Sequence, residues 1–127
     1  MKNVLVVDDQ VTVRRLVEMT LQAHGINVLQ AESGEKGIDV ACRENPDLII
    51  MDIMMPGGMD GFEAVRTLRA QESVRDCPII MLTAKDQKSE REQAFEAGVD
   101  DYLPKPFKLK DLVQKVENLL EQVSSHS

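Results

Sequence analysis

The chain has 127 residues, 43% of them hydrophobic and 29% charged, with a net charge of −7. That length suits one domain with its own core, and the composition is ordinary for a soluble globular protein. The acidic balance argues against a nucleic-acid surface or a polybasic membrane patch, both of which need clustered Lys and Arg.

No apolar run approaches the length of a bilayer span, and "MKNVLVVDD" lacks the form of a signal peptide, so a cytoplasmic protein is expected. Cys42 and Cys77 have no metal-ligand spacing and read as free thiols of a reducing compartment.

In chain order, Asn3–Val7 ("NVLVV") reads as a strand that runs straight into Asp8 and Asp9. Val13, Leu16, Val17, Thr20 and Leu21 then fall on one helical stripe, which Gly25 can end. Asn27–Ala31 is a mixed strand. Ser33 is a candidate cap for a helix that places Ile38, Ala41 and Cys42 together. Leu48–Met51 ("LIIM") is a continuous apolar strand followed by Asp52. Asp60 is a candidate cap for a helix with Phe62, Val65 and Leu68 on one face. Ile79–Leu82 ("IIML") is another apolar strand, followed by Thr83. Ser89 and Glu92 form a capping-box pattern before a helix that stops at Gly98. Tyr102–Leu103 is a short strand followed by "PKP" with Lys105. The last helix carries Leu109, Leu112, Val113, Val116, Leu119, Leu120 and Val123, and a frayed polar tail over 124–127 is expected after it.

The alternation is strand, helix, five times over. Continuous apolar strands belong in the middle of a parallel sheet covered on both faces, and the mixed and short ones at its edges. The fold class expected is therefore α/β. It is a three-layer, doubly wound, five-stranded parallel sheet of flavodoxin-like strand order 2-1-3-4-5.

Ligands of such sheets bind beyond the carboxyl ends of the strands. Asp8 and Asp9, Asp52, Thr83 and Lys105 all follow strands there. Taken singly, an Asp after a strand is a turn former or a helix cap, Thr83 a turn cap and Lys105 a solvated lysine. Together they bring three carboxylates, a hydroxyl and an amine to one cleft. Clustered carboxylates serve either as an acid/base pair with one raised pKa or as ligands of a hard divalent cation. A cation such as Mg²⁺ removes the repulsion between Asp8 and Asp9, and Thr83 and Lys105 then suit the oxygens of a phosphoryl group. Asp52, alone at the end of a central strand, is the candidate nucleophile that becomes an aspartyl phosphate.

The motifs "LVVDD", "DLIIMDIMMP", "MDGFE", "IIMLTA" and "GVDDYLPKPF" resemble, in order and at near-standard spacing, those of the receiver domain of bacterial two-component response regulators. The resemblance runs from Lys2 to about Val123, implying a receiver domain over residues 1–123. It implies that Asp52 is the phosphoacceptor and that Mg²⁺ is held by Asp9 and Asp52, with Asp8 acting through a water and the Met54 backbone carbonyl as a further ligand. Thr83 is then the switch hydroxyl, Tyr102 the switch aromatic that turns inward, and Lys105 the partner of a phosphoryl oxygen, before a cis Lys105–Pro106 peptide. Met54 and Lys85, flanking the cleft, are expected to influence hydrolysis of the acyl phosphate.

The implied partners are a sensor histidine kinase or a histidine phosphotransfer protein upstream, and a partner protein or fused effector domain downstream. No direct contact with nucleic acid or membrane is expected. The domain is not a free-standing enzyme; it catalyses only its own phosphotransfer and dephosphorylation. One departure is the pair Gly57–Gly58 between Pro56 and Met59, one residue more than the family usually has, which implies a longer, more mobile loop.

A haloacid-dehalogenase-type phosphatase would need an Asp where Met54 stands. A flavin carrier would need a glycine- and hydroxyl-rich loop where "DDQVTV" stands. The remaining alternative is a pseudo-receiver that works as an unphosphorylated interaction module.

Overall fold

The computed structural model describes residues 1–55, 57–84 and 88–125, without the side chains of 123–125. Five strands, β1 (Asn3–Val7), β2 (Asn27–Ala31), β3 (Leu48–Asp52), β4 (Ile79–Thr83) and β5 (Asp101–Pro104), form one parallel sheet in the order β2-β1-β3-β4-β5. Five helices connect and follow them: α1 (Val11–Gln22), α2 (Gly34–Glu44), α3 (Gly61–Ala70), α4 (Lys88–Ala97) and α5 (Leu109–Ser125). The expected α/β architecture and strand order are both present.

The apolar runs of β1, β3 and β4 are continuous because both faces are covered. On one face Leu5, Val7, Ile49, Met51, Ile79 and Met81 pack with Ala41 of α2, Ala64, Val65 and Leu68 of α3, and Ala94 and Ala97 of α4. On the other, Val4, Val6, Leu48, Ile50, Ile80 and Leu82 pack with Val17 and Leu21 of α1 and Leu112, Val113 and Val116 of α5. Alternate residues of a strand point to opposite faces, so each strand feeds both layers.

Several expected boundaries move. β3 and β4 run one residue further than the apolar pattern and take in Asp52 and Thr83, which hold ladder positions opposite Leu82 and Pro104. The ladder depends on backbone groups, so a polar side chain at the last position does not end it. β5 gains a residue at each end, Asp101 opposite Ile80 and Pro104 opposite Thr83.

Ser33 and Asp60 are N-caps as expected, accepting from the backbone N–H of Lys36 at 3.2 Å and of Glu63 at 2.9 Å. Ser89 is not a cap. α4 already includes Lys88, so Ser89 sits inside its first turn. Leu16 and Leu109 belong to the expected apolar stripes but are 44% and 40% exposed. α5 continues helical through Ser125. Of the residues named above, Pro56, Lys85 and the end of the tail at 126–127 lie outside the described residues.

Candidate functional site

The site begins at the end of β1. The Asp8 N–H donates to the Ala31 carbonyl at 3.1 Å, which extends the pairing of β1 with β2 by one bond. Its carboxylate is fully buried and turns back on its own chain, with Oδ1 accepting from the Gln10 N–H at 2.9 Å. This local bond is the Asx turn that lets a carboxylate sit where a strand becomes a helix. Asp9 next to it is exposed, and the cap position of α1 is Gln10, which makes no side-chain cap bond. Asp9 is therefore not spent on capping.

Arg14, which the sequence reading passed over, fixes the same turn from α1. Its Nη1 donates to the Asp8 carbonyl at 2.7 Å and its Nε to Gln30 Oε1 at 3.0 Å, and Gln30 in turn donates to Glu18. Nothing in the spacing of Arg14 marks it out, because the contacts depend on how α1 lies against β2.

Asp52 ends β3 in the neighbouring strand and is only 3% exposed. Lys105 Nζ, just beyond β5, spans the two carboxylates, 2.9 Å from Asp8 Oδ2 and 3.3 Å from Asp52 Oδ1. The Lys105 backbone is held by its N–H to the Thr83 carbonyl at 2.7 Å, and the Lys105–Pro106 peptide is cis. Burial, reinforced by the Asp8 charge, pushes the Asp52 carboxyl from 3.8 up to about 6, while Lys105 and the Met54 amide pull the other way. Burial also works against the Lys105 ammonium. The hydrogen bond it donates to Asp8 and the charges of both aspartates outweigh it, so its pKa lies above the usual lysine value.

Asp8, Asp9 and Asp52 each offer an oxygen, all within 4.8 Å of one another, a grouping compact enough for a metal ion. Thr83 ends β4 on the same edge. It is fully buried, and its Oγ1 has no hydrogen-bond partner among the described residues. An orphaned buried hydroxyl is costly. It is the atom in this cleft that an incoming oxygen would satisfy.

Met54 follows two residues after Asp52, with a side chain 63% exposed between the buried Ile53 and Met55. Tyr102 is half-buried on β5, outside the carboxylate cleft. Its ring stands edge-on to Phe95 with centroids 5.9 Å apart, and its hydroxyl accepts from Arg91 Nη1 at 3.1 Å. Arg91 and Lys115 also lie 5.7 Å and 5.9 Å from the ring centre.

The structure thus brings Asp8, Asp9, Asp52, Thr83 and Lys105 to one edge and leaves Tyr102 on the adjoining α4–β5 face. It also adds Gly61, another residue the sequence reading did not single out. A Cβ there would lie 2.4 Å from the Asp52 carbonyl oxygen and 2.7 Å from the Ile53 Cα, and the Gly61 N–H donates to the Ile53 carbonyl at 3.0 Å. The start of α3 is thereby seated directly on the backbone that carries Asp52.

Residues 4–117 match the response regulator receiver domain family. The chain is 44% identical over 124 residues to the transcriptional regulatory protein ResD of Bacillus subtilis, covering 98% of this chain and 50% of that protein. It is 39% identical over 122 residues to the DNA-binding dual master transcriptional regulator RpaA of Synechocystis, covering 96% and 50%. The chain therefore spans about half the length of these curated relatives.

Among solved structures, the chemotaxis protein CheY4 of Vibrio cholerae superposes with a TM-score of 0.89 at 34% identity, covering 94% of this chain and 98% of that one. The receiver domain of the Pseudomonas aeruginosa sensor histidine kinase PA1611, solved with a magnesium ion coordinated in its active site cleft, gives 0.86 at 35% identity, again covering 94% and 98%. The matched range takes in every residue of the sheet edge just described, and the chain belongs to the response regulator receiver domain family.

Proposed function

We propose that the chain accepts a phosphoryl group on Asp52 and switches its surface for a downstream partner. The observation that carries this reading is the convergence at one sheet edge of the buried Asp52, Lys105 Nζ 3.3 Å from it, and the buried hydroxyl of Thr83, which has no partner among the described residues. The donor is a phosphohistidine of a sensor histidine kinase or a phosphotransfer protein. A carboxylate oxygen of Asp52 attacks the phosphorus, the P–O bond forms as the P–N bond breaks, and the imidazole nitrogen keeps the electron pair. Attack needs the ionised carboxylate, which in the metal-free domain predominates above about pH 6 and which a bound cation would favour further. Lys105 turns from Asp8 and Asp52 to the phosphoryl oxygens, and Thr83 donates its hydroxyl to one of them.

The donor set fits Mg²⁺. It consists of three hard carboxylates grouped within 4.8 Å and a backbone carbonyl, that of Met54, two residues beyond the acceptor. Asp8, Asp9, Asp52 and the Met54 carbonyl are the groups that would hold it, and when bound it supplies positive charge to offset that of the phosphoryl oxygens. The magnesium ion coordinated in the cleft of the PA1611 receiver supports this choice.

Thr83 and Tyr102 form the switch, since they end or line neighbouring strands and Tyr102 belongs to the α4–β5 face that would engage the partner. The receiver unit occupies residues 1–123. It works in the cytoplasm, consistent with the lack, among the described residues, of a helix long and apolar enough to cross a membrane. The half-length match to two transcriptional regulators supports an output in transcription, delivered by a fused effector domain or a separate protein. The chain acts as a signalling acceptor rather than an enzyme with a turnover substrate.

Acetyl phosphate with and without Mg²⁺, read by intact mass, tests the reading. Wild type should gain one phosphoryl group only with Mg²⁺, and Asp52→Ala none. An unmodified wild type, or an equally modified Asp52→Ala variant, would favour the unphosphorylated interaction module instead.

A further inference from the structure

Glu35, in the first turn of α2, lies outside the carboxylates of the cleft, yet it reaches the loop between β3 and α3. Its Oε1 accepts from the Met59 N–H at 2.8 Å, across 24 positions of sequence. That bond, first among the causes, holds the Glu35 carboxyl below its usual range. Gly58 packs on the same group: a Cβ there would stand 3.0 Å from Glu35 Oε1. Gly57 has φ +88°, a conformation that glycine adopts at no steric cost. Neither glycine offers a side chain to anchor the loop. At its base the loop is closed by Gly61 on Ile53; its outer turn is tied to α2 through Glu35.

Resting on the phosphoryl-acceptor reading above, we propose that Glu35 is a positioning residue, a latch that fixes the outer turn of the β3–α3 loop and so keeps the Met54 backbone set for a divalent cation. The glycine pair raises the entropy the loop must lose when it contributes a ligand, and a latch formed in advance removes part of that loss. Glu35 then acts through its hydrogen bond and not through its charge.

Calorimetric titration with Mg²⁺ alone, amide exchange at Met59 and urea unfolding test this on wild type, Glu35→Ala, Glu35→Gln, Gly58→Ala and the Glu35→Ala/Gly58→Ala double variant. Glu35→Ala should weaken Mg²⁺ binding about two- to fivefold and speed exchange of the Met59 amide. Glu35→Gln should keep most of the affinity, because its amide oxygen accepts the same bond. Gly58→Ala should weaken binding by displacing the carboxylate, and the double variant should be no weaker than Glu35→Ala, as for two changes that break one contact. Wild-type affinity in Glu35→Ala overturns the latch. So does a Gln variant as weak as the Ala variant, which would mark a charge effect, or a fully additive double variant. A wild type that takes up neither Mg²⁺ nor phosphoryl overturns the parent reading and the latch with it, a result separable from the others because it appears before any substitution is made.

Discussion

Asp52 holds a carboxylate in a place that disfavours its charge. Its pKa rises from 3.8 to about 6 on folding, chiefly through burial and then through Asp8. An acid whose native pKa lies above its unfolded value binds more protons folded than unfolded between the two. Its penalty is absent below about pH 4 and complete above about pH 6, so stability falls as pH rises through that window. Asp52→Asn removes the charge and should stabilise the metal-free domain by about 1–3 kcal/mol at pH 7. Urea unfolding in the presence of a chelator should show that gain at pH 7 and lose most of it at pH 4. Asp9 differs, because it is exposed and no buried contact depends on it. Asp9→Ala should therefore leave the metal-free melting curve unchanged or slightly raised while abolishing both Mg²⁺ uptake and phosphorylation by acetyl phosphate. Normal Mg²⁺ uptake by that variant would show that Asp9 is not a ligand.

At the scale of elements, the join between β3 and α3 bears most directly on the site. A Cβ on Gly61 meets the backbone of Asp52 and Ile53, which no side-chain rotation can relieve. Gly61→Ala should destabilise the domain by roughly 2–4 kcal/mol and, in the fraction that stays folded, slow phosphorylation of Asp52. A variant of wild-type stability would mean that α3 can shift without cost. The elements themselves were mostly legible in the sequence. β1, β3 and β4 announce themselves as apolar runs because they are buried on both faces, and Ser33 and Asp60 as caps because their type and position are local properties. Asp8, Asp9, Asp52, Thr83 and Lys105 could be grouped because each follows a strand and the topology fixes where strand ends meet. Arg14, Gly61 and Glu35 could not. Each acts through a contact with a distant segment, and no periodicity records which polar side chain will cross from one element to another. Ser89 misled for the complementary reason: a capping pattern states a local preference, and α4 already includes Lys88.

For the molecule as a whole, a cation that binds the folded chain and not the unfolded one stabilises it by an amount that grows with the logarithm of its concentration. With Mg²⁺ at a hundred times its dissociation constant, the gain should be about 2.7 kcal/mol. Thermal melts in MgCl₂ should therefore exceed melts in NaCl of equal ionic strength, and the difference should vanish in Asp9→Ala. An equal rise with either salt would reduce the effect to screening of the net charge of −7. The site's groups come from the ends of four strands, and the Lys105–Asp8 pair spans 97 positions of the chain. No single hairpin, helix or crossover holds enough of them to bind anything. On the reading proposed above, a cation held by Asp8, Asp9 and Asp52 would report only that β1 and β3 have paired, whereas a phosphoryl group also met by Thr83 and Lys105 would report the sheet from β1 across to β5.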